Sequence, residues 1–428
     1  MKLEIGKIYV TDVVLGEKNV FETGRLTIDT QGLIDHLLTD HRLKSAAVDL
    51  AKPGDSVRII PVKDVIEPRV KVFGEAKEFP GVTSTMATAG QGRSHVFKNT
   101  AVITTGSIVG FQEGVLDMSG PGAAYSPFSQ TINIVLTLEP KKGLSQHQHE
   151  EAARSAGLQA AAYIGECGRE AVPDEIETFE MNSNAAEIVK YPALPKVVYL
   201  EMLITQGLLH DTYIYGLDAK QTLPTLLHPN EVLDGAVISG NCVAACDKIT
   251  TYQHLNNPII KELYDRHGKD LVFLGVVVTN ENITLQGKLR SCSMATNIAK
   301  QLGADGVIVS EEGYGNPDSD LMLNCRLLEE AGIKTVLITD ECAGRDGMSQ
   351  SLTDATSHAK AIVTTGNVSH LVTLPPMEKI IGNILAIEQL AGGYSGSLLP
   401  DGSLECELNA ILGSTSEIGY HNVTTKEY

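Results

Sequence analysis

What most narrows the fold of this chain is a rhythm in its C-terminal half. From Lys196 onward, short apolar runs recur at Val197–Thr205, Ala236–Ser239, Leu271–Val278, Gly306–Ser310, Lys334–Thr339 and Ala361–Thr364. Helical stretches lie between them, near Pro258–His267, Arg290–Leu302 and Asp320–Ala331. β and α segments alternating at this spacing predict a doubly wound, mostly parallel sheet. Uninterrupted apolar strands are what burial on both faces requires. Four runs end in polar clusters: Thr279-Asn280-Glu281-Asn282, Glu311-Glu312-Gly313-Tyr314, Asp340-Glu341-Cys342 and Thr365-Gly366-Asn367. Open α/β sheets bind ligands outside the carboxyl ends of their strands. Asn280, Glu281 and Glu311 are therefore candidate substrate-binding residues, although loops are polar for ordinary reasons too. Neither G-x-G-x-x-G nor G-x-x-x-x-G-K-[ST] follows a strand, so no bound nucleotide is indicated.

The N-terminal third has a different texture. Lys7–Val14, Val20–Ile28, Ser56–Pro61, Arg69–Phe73, Ala101–Phe111 and Ile132–Leu138 are rich in Val, Ile and Thr, with turn signals such as Pro53-Gly54-Asp55 between some of them. A short helix is expected at Gly32–Leu38 and an alanine-rich one from Ser145 to about Cys167. The fold class is thus α/β: a β-rich N-terminal domain to about residue 145, then a doubly wound α/β domain. A length of 428 residues exceeds what one core usually supports. His147 and His149 fall at the start of the alanine-rich helix, where their rings diverge by roughly 200°. No metal site is expected there.

Charge and cysteine usage exclude several classes. The net charge of −19 divides into −9 over residues 1–241 and −10 over residues 242–428, so the acidity is general rather than a tail. It argues against nucleic acid or an anionic membrane as partner. No stretch of 18 apolar residues exists, and the start lacks a signal-peptide core, so a cytoplasmic protein without a membrane span is expected. Seven widely spaced cysteines are no disulfide framework. Cys242 and Cys246 form C-x3-C without a second pair, which is a weak zinc signal.

The motif that carries chemistry is Asn241-Cys242, in Ser239-Gly240-Asn241-Cys242-Val243-Ala244-Ala245-Cys246-Asp247. A thiol beside a peptide carbonyl can attack it and cut its own chain, and loss of the sulfur then converts the new N-terminus into a pyruvoyl group. Gly240 suits the backbone angles of such a turn. The ordinary fate of a cysteine is burial as a small hydrophobe. Asn241 offers a rival route, in which its side-chain amide cleaves the bond and leaves an intact N-terminal cysteine, the nucleophile of an amidohydrolase. His210 and His254 are the candidate bases near Cys242. Arg345, in Gly344-Arg345-Asp346-Gly347, suits a substrate carboxylate, with a salt bridge to a neighbour as the ordinary alternative.

Several stretches carry a family resemblance. They include Gln206-Gly207-Leu208-Leu209-His210-Asp211-Thr212-Tyr213, Gly240-Asn241-Cys242 with Ala245-Cys246-Asp247-Lys248, His254-Leu255-Asn256-Asn257-Pro258, Val278-Thr279-Asn280-Glu281-Asn282, Gly315-Asn316-Pro317-Asp318 and Pro61-Val62-Lys63-Asp64-Val65-Ile66-Glu67-Pro68-Arg69-Val70. Together they resemble the alpha/beta proprotein of component B of the glycine, sarcosine and betaine reductases, over essentially the whole chain. The resemblance implies a cut between Asn241 and Cys242, giving chains 1–241 and 242–428, the second capped by a pyruvoyl group made from Cys242. It implies a substrate amine condensed with that ketone and a selenocysteine on a separate subunit of component B as the nucleophile. It also implies a small selenoprotein, component A, as carboxymethyl acceptor, and a component C that forms acetyl phosphate. Betaine, with its quaternary nitrogen, cannot condense in this way, and glycine is the expected substrate. An N-terminal-cysteine hydrolase and an uncut scaffold subunit stay open at this stage.

Overall fold

The computed structural model describes residues 1–206, 212–240 and 243–418. Within them the chain is mixed α/β, built from several sheets. The β-rich part holds two four-stranded sheets. One has the order Glu175–Glu180, Lys2–Tyr9, Gly92–Lys98, Arg69–Phe73; the other runs Leu43–Ala51, Ile132–Pro140, Thr100–Gly106, Asp64–Ile66. Three expected strands are shorter than the pattern implied. Val20–Ile28 breaks into the antiparallel pair Val20–Glu22 and Arg25–Asp29. Lys7–Val14 resolves into Lys2–Tyr9 and Asp12–Gly16, and Ala101–Phe111 ends at Gly106.

The alanine-rich helix spans Gln146–Gly165 and starts from a capping box in which Ser145 and Gln148 satisfy each other's backbone donors. Its small face lets it lie close on the second sheet, where Ala152, Ala153, Ala156, Ala160 and Ala161 meet Val102, Ile134 and Leu136. At its C-terminal end the helix also closes on the first sheet: a Cβ at Gly165 would sit 2.0 Å from the Arg69 carbonyl oxygen.

The C-terminal half centres on a six-stranded sheet of order Thr225–Leu227, Val272–Asn280, Lys196–Leu203, Gly306–Ser310, Lys334–Glu341, Ile362–Asn367. The first strand is antiparallel and the remaining pairings are parallel. Along Lys196–Leu203 the side chains alternate between two cores. Val198, Leu200 and Met202 pack under helices Leu285–Leu302 and Asn316–Glu330. Val197, Tyr199 and Leu203 face the other way, toward Ile260 and Leu263 of helix Pro258–Arg266 and toward Leu3, Ile5, Val96 and Phe179 of the β-rich part. The second face is therefore shared between helix Pro258–Arg266, the segment around residues 232–237 and the N-terminal sheet.

The two halves are also laced together. Strand Lys379–Gly382 pairs in parallel with Val57–Val62. Beside it, Arg58 grips Asp117 through two hydrogen bonds (2.6 and 2.8 Å) and donates a third to the Pro375 carbonyl, with both charged side chains buried. Removing one partner of a buried pair strands the other charge. Arg58→Met is expected to destabilise the protein by about 3 kcal/mol in urea unfolding. No helix among the described residues is long and apolar enough to cross a membrane.

Candidate functional site

Parallel strands put their carboxyl ends along one edge, and at that edge the chain buries an unusual density of acid. Glu201, Asp247, Glu281, Glu311, Glu312, Asp340 and Glu417 are each at most 1% exposed. Buried cationic or basic groups near them include Lys248, Lys288 and His254. An ionised carboxylate taken out of water must find donors or a counter-ion, or else take up a proton. Burial pushes Glu281, Glu311, Asp340 and Glu417 well above the ordinary carboxylate range, and neighbouring acids push in the same direction. Asp247 is raised to about 7, by burial first and Glu312 second. Protonated carboxyls in a dry site can donate hydrogen bonds and act as acids near neutral pH.

The segment before and after the Asn241-Cys242 pair is fastened to this cluster. On the upstream side, Lys248 Nζ donates to the Gly240 carbonyl at 2.5 Å, and Ser239 N donates to Thr251 Oγ1 at 3.0 Å. Thr251 in turn donates through N and Oγ1 to the two oxygens of Asp64 (3.0 and 2.6 Å). On the downstream side, the Ala245 and Cys246 carbonyls accept from Gly413 N (2.7 Å) and Thr415 N (2.9 Å). Glu312 joins three stretches: Oε1 accepts from Ile249 N, and Oε2 accepts from Ile204 N and Thr212 Oγ1.

Three of the sequence-predicted residues, Asn241, Cys242 and His210, lie outside the described residues. His254 is fully buried on helix Thr251–Leu255, with Nδ1 3.3 Å from Glu201 Oε1. Asn257 Nδ2 donates to that same oxygen at 3.2 Å. Glu281 Oε1 accepts from Glu312 N (3.3 Å) and Glu311 Oε2 from Thr339 Oγ1 (2.6 Å), while the second oxygen of each has no hydrogen-bond partner among the described residues. Asn280 is engaged internally, donating to the Thr222 carbonyl and accepting from Ser291 Oγ at 2.7 Å. Arg345 is half-exposed, paired with Glu407 at 2.7 Å and stacked over Tyr394.

Sequence reasoning did not single out Glu201, Asp247, Lys248 or Glu417. Glu201 carried one signal, an acidic residue inside an otherwise apolar strand. Glu417 carried none. Outside the expected residues, Cys246, Asp247 and Asp340 converge, and among the described residues His147 and His149 join no such group.

The raised carboxyl pKa values have a consequence for stability. The folded protein keeps a proton on Glu281 that the unfolded chain releases above about pH 4.5. Stability is fullest below that pH and falls as pH rises toward the folded value, by about 1.4 kcal/mol per pH unit for each such group. Unfolding free energy is expected to fall as pH rises above about 4.5, and Glu281→Gln to remove one group's share of the slope in urea titrations at each pH.

Comparisons with known proteins show the family. A family model described as glycine/sarcosine/betaine reductase component B subunits matches residues 1–426. The chain is 54% identical over 428 residues to the glycine reductase complex component B subunits alpha and beta of Peptoclostridium acidaminophilum, covering 100% of both chains. It is 52% identical over 428 residues to the sarcosine reductase complex component B subunit alpha of the same organism, and 43% over 443 residues to its betaine reductase complex component B subunit alpha, each again covering 100% of both chains. No solved structure matches.

Proposed function

The chain belongs to the family of glycine/sarcosine/betaine reductase component B subunits, and from that premise we propose that it is a precursor which cuts itself between Asn241 and Cys242. The observation that carries this reading is the fastening of both flanks of that pair, by Lys248 on the Gly240 carbonyl and by Glu312 on Ile249 N. A held backbone beside buried proton donors fits an intramolecular acyl shift. A further support is that the relative named for two subunits, alpha and beta, aligns end to end with this single chain.

In the proposed cut, Cys242 Sγ attacks the Asn241 carbonyl and the peptide nitrogen leaves as an amine. Elimination across Cα–Cβ of residue 242 expels the sulfur with Asn241 as a thiocarboxylate, which water converts to a carboxylate and hydrogen sulfide. The remaining enamine tautomerises to an imine, and water replaces its nitrogen, releasing ammonia. The resulting pyruvoyl ketone supplies an electrophile for an amine and draws electrons from the amine's C–N bond. Glu281 and Glu311, each with one unpartnered buried oxygen, are assigned to the substrate amine. His254 and His210 are assigned to proton transfer. Asn280 and Arg345 are assigned to framing the crevice through their internal partners. The six-stranded sheet is read as doubly wound, with substrate at its carboxyl edge.

The substrate is proposed to be glycine. The carbon acceptor is assigned to a selenocysteine on a separate component B subunit, with a small selenoprotein and an acetyl-phosphate-forming component downstream. The test is reductive trapping. Labelled glycine and borohydride together should fix label to the 242–428 fragment, and labelled betaine should not. Label on fragment 1–241, or none on either, would overturn the assignment. Because Lys379–Gly382 is paired with Val57–Val62, the two fragments are expected to co-elute in size-exclusion chromatography and to separate only in denaturant.

A further inference from the structure

Cys246, Asp247 and Asp340 bring one sulfur and two carboxylates together, with a ligand atom of each within 4.8 Å of the others. All three are fully buried. Neither oxygen of Asp247 has a hydrogen-bond partner among the described residues, nor has Asp340 Oδ1. Both oxygens of buried Glu417, whose carboxyl feels the charges of Asp247 and Asp340, are likewise unpartnered. Orphaned oxygens in a dry interior call for a ligand. The remaining Asp340 oxygen, Oδ2, is held by Thr415 Oγ1 at 3.0 Å, the kind of outer contact that orients a metal-binding carboxylate.

We infer that Cys246, Asp247 and Asp340 form a binding site for a divalent metal ion of the zinc class. One thiolate with two carboxylates suits a borderline-soft ion. Calcium and magnesium prefer larger all-oxygen sets. A tetrahedral site with bonds of roughly 2.0–2.3 Å spaces its ligand atoms at roughly 3.5 Å, so the three side chains need close by only about 1 Å. Three protein ligands leave a fourth position, open to water or to Glu417. The ion would tie the segment just after Cys242 to the end of strand Lys334–Glu341. The site belongs to the chain whether cut or whole, so it stands apart from the pyruvoyl reading.

The test uses the full-length protein, stripped with a chelator and titrated with zinc and with cobalt as its spectroscopic substitute. Stoichiometric zinc is expected, together with a near-ultraviolet thiolate-to-cobalt charge-transfer band. The band should vanish in Cys246→Ser and persist in Cys292→Ser, which alters a buried thiol elsewhere. Thr415→Val, which keeps all three ligands, should weaken zinc binding by about tenfold. That variant decides the matter should Cys246→Ser fail to fold. Absence of bound metal in the wild-type protein, a band that survives Cys246→Ser, or unchanged affinity in Thr415→Val would overturn the site.

Discussion

Cys242→Ala is expected to leave a single uncut species of 428 residues, free of any reactive carbonyl and without reductase activity. Alanine supplies no nucleophile for the Asn241 carbonyl and no leaving group for the elimination, so both halves of the processing fail together. The readout is one band in denaturing electrophoresis where the wild type gives two. Asn241→Ala separates this route from its rival. Under thiol attack, Asn241→Ala still cuts, since only the backbone carbonyl of that residue is used. Under side-chain amide attack it does not cut, and Cys242→Ala does. Cys292→Ser serves as a control for general loss of a buried thiol.

Lys248→Met is expected to lower stability by about 5 kcal/mol, near the top of the range for stripping a charge from a buried set. The ammonium is 1% exposed and its charge favours the ionised forms of Asp64, Glu312 and Asp247 together. Without it those carboxyls must hold protons or remain uncompensated. The Gly240 carbonyl also loses its 2.5 Å donor, so the segment leading into the pair is released at the same moment. Urea unfolding near neutral pH reads the first effect. The rate of fragment appearance after synthesis reads the second, and slower cutting is the expected direction. A Lys248→Met protein as stable and as quickly cut as wild type would show that neither hold matters.

How far the sequence alone reached is best judged on particular residues. Strands Arg69–Phe73 and Gly306–Ser310 match expectation residue for residue: the first alternates valine with charge between Pro68 and Gly74, and the second is a β-branched run. Helix Leu285–Leu302 begins five residues before the expected Arg290, since its first turn is polar and its cap, Thr284, lies outside the apolar period. The pairing of Lys379–Gly382 with Val57–Val62 was not legible, because no local pattern encodes a partner more than 300 positions away. Polar strand ends did lead to Glu281 and Glu311, whose burial gives them their shifted protonation. The same reasoning offered Arg345 either to a substrate carboxylate or to a salt bridge with a neighbour, and in the structure its guanidinium pairs with Glu407 and stacks over Tyr394. A charged side chain after a strand end has two ways to go, and sequence spacing does not choose between them. Glu417 shows the opposite limit: its importance comes only from the neighbours that the fold gives it.

Intact-mass analysis of the purified protein, with and without borohydride, bears most directly on the central claim. The account predicts two chains, 1–241 and 242–428, the second lighter than its unmodified sequence by the loss of sulfur and amine and shifted by borohydride as a ketone becomes an alcohol. A 242–428 chain with an intact N-terminal cysteine, or a single uncut chain in protein isolated from its native cell, would contradict it.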